Sequence, residues 1–316
     1  MASAPACFCR RARFVLKNMN NKLIKIAIVG VGHWGKKLLK EFDKQAEVVW
    51  CCHRGSAESV KFLAENYPNI KTTTSLEDIL NDSSVEAVVV ATPTNTHFDI
   101  AQKVIMANKH LFLEKPGCSK PSELKQLCEE TEKRKLIFAV GYEFVHHPAL
   151  KKIKELIKLE DIKGLCFEWH KWGTFEAPIV PHLLSHDISI IKSLGINSLK
   201  PKNYRGQKII SDVDIIEVEF ENDKNIPITN YINRASTLKN KNITIIGADR
   251  SYIWNNDNLF KIEPGKQTYS SINMVKNSSL AEEIKDFLES IKGTKKLLCD
   301  GRFALDIWEV VGKIIN

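Results

Sequence analysis

The chain has 316 residues, with 46 Lys+Arg against 38 Asp+Glu for a formal charge of +8, and 43% hydrophobic beside 27% charged residues. That composition and length suit a soluble protein of two domains, each able to bury a core without metal or disulfide staples. No apolar run approaches the ~20 residues that span a bilayer, which excludes an integral helical membrane protein. The basic excess is uneven. Residues 1–18 carry Arg10, Arg11, Arg13 and Lys17 and no acid, and without them the charge falls to +4. An excess of that size gives no reason to expect a nucleic-acid partner.

The leader 1–18 has no hydrophobic stretch long enough for a secretory signal. Being Arg-rich and acid-free, it weakly resembles an organellar transit peptide, while an upstream extension before Met19 is the other reading. Cytoplasmic residence is expected, with organellar import as the alternative. The eight cysteines form no C-x-x-C, and they read as reduced core or surface thiols with no zinc site; Cys7 and Cys9 lack a second ligand pair.

From Leu23 the chain alternates. Ile24 to Val29 is a short β-branched strand, GVGHWGKKLLKEF a glycine turn and helix, and EVVWCC a second strand. SAESVKFLAENY reads as a helix capped by Ser56. VEAVVVA is a third strand, HFDIAQKVIMANK a helix capped by Asn95 or Thr96, and HLFLEKP a fourth strand. A helix opened by Pro121 and the strand LIFAVGY follow. This order predicts a parallel, doubly wound sheet over residues 19–142. Beyond it, HPALKKIKELIKL and a histidine-bearing helix at 182–194 precede the strand-like runs IIEVEF, PITNYIN, NITIIG and SYIWNN, with closing helices at 279–292 and 301–315. Residues 143–316 are therefore expected to form an α+β domain on a mostly antiparallel sheet, whose last helices are free to pack back on the first domain.

Gly30, Gly32 and Gly35 form G-x-G-x-x-G between a strand and a helix, the context that identifies a dinucleotide-binding loop; His33 and Trp34 belong to the same loop. Gly30 permits the turn, Gly32 lets the pyrophosphate approach, and Gly35 allows close packing of helix on strand. An acid at the end of the second strand would bind a ribose 2′-hydroxyl. Cys52-His53-Arg54-Gly55-Ser56 stands there instead, with no acid before Glu58. Arg54 suits a 2′-phosphate or stacks on adenine, so NADP(H) is favoured over NAD(H).

The glycine loop, Thr92-Pro93-x-x-x-His97 and Glu114-Lys115-Pro116 end successive strands, where such sheets bind ligands. In that order they resemble the Gfo/Idh/MocA oxidoreductases over residues 23–316. GHWGK and SHDISIIKSLG are most similar to the branch that oxidises nucleotide-activated amino sugars at C3. The resemblance implies catalytic roles for Lys115 and His186 beside a nicotinamide and the reacting carbinol. It also implies substrate contacts from Lys115, His182 and His186, and a homo-oligomer, dimer or tetramer. A base near pKa 6.5 such as His186 fits removal of the hydroxyl proton, and the Lys115 ammonium fits stabilisation of alkoxide charge.

Position 182 is Asp in many members, so the orienting role of that Asp does not transfer to His182. His182 and His186 lie four apart, a metal-ligand spacing, but there is no Glu between them and no third ligand, so no metal is expected. Thr92 and Pro93 are expected at the nicotinamide ribose. Glu114 is read as structural, as positioning Lys115, or as a ribose contact. His97 is a helix-start residue or a cofactor contact, and Tyr142 a substrate contact or an interface aromatic. Trp169 and Trp172 are read as sheet or interface packing. The expected activity is an NAD(P)-dependent dehydrogenase or reductase acting on a secondary alcohol of a sugar, nucleotide sugar or cyclitol. The alternatives are an NAD-dependent glycoside hydrolase with transient C3 oxidation, and a non-catalytic cofactor-binding scaffold.

Overall fold

The computed structural model describes residues 22–266 and 268–315. The leader, Cys7, Cys9 and Met19 lie outside them. Among the described residues no helix is long and apolar enough to cross a membrane.

The first half follows the alternation read from the sequence. Its elements run β1 (Lys25–Val29), α1 (His33–Gln45), β2 (Glu47–Cys52), α2 (Ala57–Asn66), β3 (Lys71–Thr73), α3 (Leu76–Asn81), β4 (Ala87–Val90), α4 (His97–Met106), β5 (His110–Glu114), α5 (Pro121–Arg134) and β6 (Phe138–Gly141). All five pairings are parallel, in the order β3-β2-β1-β4-β5-β6. β1, β4 and β5 are apolar almost throughout because helices cover both faces. The strand order reverses between β1 and β4, which opens a crevice at their carboxyl ends. Ser56 caps α2 by accepting from the Ser59 amide, and Pro121 opens α5. α4 departs from expectation: Thr96 makes no capping bond, since its hydroxyl turns back to Thr92 Oγ1 and Pro93 O, both at 2.8 Å.

The second half contains α6 (Pro148–Leu156), β7 (Ile162–Trp172), α7 (Ser185–Ser193), β8 (Lys200–Gln207), β9 (Ile215–Glu221), β10 (Ile228–Asn233), β11 (Ala235–Gly247), β12 (Ser251–Asn255), β13 (Asn258–Ile262) and β14 (Ser270–Ile272). Its sheet runs β14-β13-β12-β11-β7-β10-β9-β8, antiparallel except for the β7–β10 pair. In β9 the alternation is complete, with Ile216, Val218 and Phe220 inward and Glu217, Glu219 and Glu221 outward.

The closing helices α8 (Ser279–Ile291) and α9 (Gly301–Ile315) return to the first sheet. α8 seats Phe287 among Phe42 and Phe112, with edge-on rings at 6.4 and 5.5 Å. α9 packs on α5, and Arg302 grips Glu132 through two bonds of 2.6 and 2.8 Å. Gly301 is required by close approach, because a Cβ there would lie 2.4 Å from the Phe138 ring. The cysteines in the described residues are free thiols, buried except Cys166.

Phe287 tests whether α8 belongs to the first core. Phe287→Ala is expected to cost about 3–5 kcal/mol in urea unfolding, as for other large-to-Ala core truncations. A loss below about 1 kcal/mol would place α8 outside that core.

Candidate active site

The glycine loop forms one wall. Gly30 has φ +98°, and a Cβ on it would sit 2.6 Å from Ala91 O. A Cβ on Gly35 would lie 1.9 Å from Gly30 O, whereas the Cβ position of Gly32 faces open space. The two outer glycines are thus fixed by the protein itself, and the middle one leaves a cradle above α1. That helix opens with no side-chain cap and no acid in its first turn, so its free amides and positive dipole end suit a pyrophosphate. The residues present fit a dinucleotide.

At the end of β2, His53 accepts the Gly55 amide at 3.0 Å and Arg54 is exposed. Glu58 is taken by Lys36 at 2.5 Å. The first acid after the strand is therefore occupied, and Arg54 has no ion pair among the described residues.

Across the crevice, His97 is buried with ring nitrogens 2.8 Å from Gly117 O and 2.7 Å from Thr92 O. Both nitrogens face backbone carbonyls; the neutral ring donates its one N–H to one of them, and it turns no nitrogen toward a cofactor. Burial holds it below the ordinary imidazole range. The Trp34 indole N–H donates to the Glu114 carboxylate, and the Lys115 amide reaches the same group at 3.2 Å. Burial pushes the Glu114 carboxyl up, against the pull of Trp34 and Lys115. Of the three readings of Glu114, the structure favours a group that joins the glycine loop to the Lys115 backbone. Trp308 of α9 holds the same turn from behind, donating to Pro116 O at 2.7 Å.

Lys115 points away from its own sheet. Its Nζ lies 2.9 Å from His182 O and 3.2 Å from His182 Nδ1. An ammonium has three donors, so two face His182 and one is left over. Burial lowers its pKa to about 8, opposed by Glu114 and Glu143 and assisted by Lys171.

The expected helix 182–194 is two pieces. Val180–Leu184 is a π-helical turn with Pro181 in it, and α7 begins only at Ser185. The wider turn changes the angular offset of the two histidines. His182 meets Lys115, while His186 enters an aromatic cage of Phe144, Trp169 and Tyr142 with centroids at 5.0, 6.0 and 6.4 Å. Burial first, then Lys115, holds His182 down to about 3, and the same causes hold His186 well below the ordinary imidazole value. Both rings are neutral at working pH. His186 Nδ1 is sealed with no partner. Tyr142 is likewise fully buried with an unpartnered hydroxyl, which makes it a wall of this cage.

Sequence reasoning left the role of Asp187 open between orienting a loop and capping a helix, and it missed the partners that support the cage from beneath. Asp187, fully buried, pairs with Lys241 of β11 and accepts from Asn230 Nδ2 at 3.1 Å. Lys241 lies 3.7 Å from the Trp169 ring centre and 4.8 Å from that of Phe144. Arg234 bonds Asp214 at 3.1 Å, Ser211 Oγ at 2.5 Å, Thr174 O at 2.8 Å and Ala177 O, fixing the loop that leads into the π-helical turn. The sequence offered little signal: Arg234 is the turn residue between β10 and β11, and Lys241 lies two residues after Lys239 in a polar stretch of β11. Among the described residues no His/Cys/Asp/Glu group could hold a metal.

Residues 24–142 match the family described as "Oxidoreductase family, NAD-binding Rossmann fold", the Gfo/Idh/MocA group. The chain is 23% identical over 296 residues to UDP-N-acetylglucosamine 3-dehydrogenase of Acidithiobacillus ferrooxidans, covering 88% of this chain and 92% of that one. It is 25% identical over 138 residues to myo-inositol 2-dehydrogenase of Thermotoga maritima, covering 43% and 41%. The solved structure of the Acidithiobacillus enzyme superposes with a TM-score of 0.83 at 21% identity, over 92% of this chain and 96% of that chain. An oxidoreductase from Magnetospirillum magnetotacticum gives 0.81 at 16%, over 92% and 99%.

The Asp187–Lys241 pair generates a stability prediction. Lys241→Met strands a buried carboxylate and is expected to cost about 3–5 kcal/mol. Asp187→Leu combined with Lys241→Met should recover much of it. Urea midpoints of the two variants check this; equal losses would contradict it.

Proposed function

Given that the chain carries the NAD-binding Rossmann domain of the Gfo/Idh/MocA oxidoreductases, we propose that it is a dehydrogenase acting on a secondary alcohol of a nucleotide-activated sugar, with NADP(H) preferred. The observation that carries the reading is Lys115, a lysine at a Rossmann strand end whose half-buried side chain is held at its Nζ by His182 of the second half of the chain. The nucleotide-sugar part is supported by the similarity to UDP-N-acetylglucosamine 3-dehydrogenase along most of both chains.

The loop of Gly30, Gly32 and Gly35 and the start of α1 would hold the pyrophosphate, Arg54 the 2′-phosphate, and Thr92 and Pro93 the nicotinamide ribose. When bound, the nicotinamide supplies the hydride acceptor for the carbinol carbon. The protein's task is the hydroxyl proton. The sequence alone gave that task to His186, but a ring so deeply buried resists protonation. Lys115 suits it better. As a neutral amine it accepts the carbinol proton, and as an ammonium it returns one to the ketone in the reverse direction. His182, neutral, keeps the Nζ in place through its carbonyl and Nδ1. His186 and its cage form an apolar wall that excludes water and keeps the lysine near neutrality.

Lys115→Ala is expected to lower turnover by at least about a thousandfold, because it removes both proton transfer and charge stabilisation. Cofactor affinity, read by fluorescence titration, should be nearly unchanged. Oxidation should accelerate as pH rises through about 8, where Lys115 loses its proton. Reduction should slow over the same interval. An oxidation rate flat between about pH 7 and 9 would return the proton to a group already neutral there, such as His186. Arg54→Gln should weaken NADPH about tenfold and leave NADH unchanged, the loss expected for one charge-assisted phosphate bond. Equal losses for both would move Arg54 to the adenine.

A further inference from the structure

Lys171 stands beside this site with no part in the proton chemistry. β7 places Trp169 inward, its ring 6.0 Å from His186, and Lys171 follows two residues on, so strand alternation puts it on the same face. The side chain is half-buried. Its charge is felt at Lys115, His182 and His186, so it belongs to the catalytic neighbourhood.

Of the other cations nearby, Lys239 is exposed and three are committed. Arg234 is spent on Asp214, Ser211 and the carbonyls of Thr174 and Ala177. Lys241 is paired with Asp187, and Lys115 is held by His182. Lys171 has no ion pair among the described residues; the acid whose field reaches it, Glu176, is exposed. Burial and the like charges of Arg234 and Lys239 both work against its ammonium. A half-buried cation on the face that carries Trp169, whose charge reaches Lys115 and which has no ion pair among the described residues, raises the energy of the empty site. An anion arriving there relieves the repulsion and gains a charge-assisted hydrogen bond.

We propose that Lys171 is an anion subsite of the substrate pocket and receives a phosphate group attached to the sugar whose hydroxyl faces Lys115. The inference rests on the function proposed above and sharpens it. The substrate must be negatively charged close to the reacting ring, which selects a sugar phosphate or nucleotide diphosphate sugar over a neutral sugar or cyclitol. Lys171 is a specificity-determining residue in this scheme and leaves proton transfer to Lys115.

The test is a calorimetric titration of the full chain and its Lys171→Gln and Lys171→Arg variants with UDP-N-acetylglucosamine, N-acetylglucosamine 1-phosphate, glucuronate and N-acetylglucosamine. Loss of one charge-assisted bond should weaken the two phosphate ligands about tenfold in Lys171→Gln. Affinity for N-acetylglucosamine should stay the same, and Lys171→Arg should restore most of the loss. Raising the salt should weaken the phosphate ligands more in the parent than in Lys171→Gln. Unchanged affinities in Lys171→Gln, or no saturable binding of either phosphate ligand by the parent, would overturn the proposal. A loss confined to glucuronate would overturn the phosphate assignment. The readout is binding, so it is independent of turnover: a Lys115→Ala enzyme that still turns over would defeat the catalytic reading and leave this result standing.

Discussion

A half-buried lysine ammonium must find acceptors, and in this fold they come from the other half of the chain. Lys115 ends a strand of the parallel sheet, yet the atoms that hold its Nζ belong to His182, which precedes α7 of the second domain. Neither half completes the site alone. The positions of the π-helical turn, of the loop stapled by Arg234 and of the turn held by Trp308 matter because each sets one end of that contact. Around it the burial is deep enough to hold two histidines neutral and to bring the lysine close to neutrality.

The glycine-loop wall is joined to the same lysine by a shorter route. Trp34 follows the second glycine of the loop and donates to Glu114, whose carboxylate also takes the Lys115 amide. One residue of the glycine loop therefore shares a carboxylate with the Lys115 backbone. The charge of the chain takes on a local meaning as well. Arg234 and Lys241 are balanced by Asp214 and Asp187, whereas Lys115 and Lys171 have no ion pair among the described residues.

Much of the fold was legible because its signals are local. Alternating apolar runs and helix-period segments, punctuated by the glycine loop, Ser56 and Pro121, gave the parallel sheet, and the alternation in β9 gave the second one. β3 was missed because Lys-Thr-Thr at a sheet edge has no apolar run to show. The Lys115–His182 contact was not legible, since it depends on a π-helical turn, and the residues of that turn, with one Pro, read equally well as an ordinary helix. Thr96 looked like a cap but spends its hydroxyl on Thr92 and Pro93. Trp169 was read as packing, which it is, but against His186 rather than within the sheet alone. Asp187 could be read only as orienting a loop or capping a helix, and Lys241 and Arg234 escaped, because a buried charge has no sequence signature apart from its partner, and each partner lies at least 20 residues away.

The central claim is that Lys115 titrates near neutrality and so can carry the proton of the reaction. Carbon-13 NMR of the full chain labelled at lysine Cε, with Lys115→Arg used for assignment, measures it directly. One resonance, absent in the variant, should titrate with a midpoint near 8 while the exposed lysines titrate near their ordinary value of about 10.4. A Lys115 resonance that moves only with the exposed lysines would contradict the account.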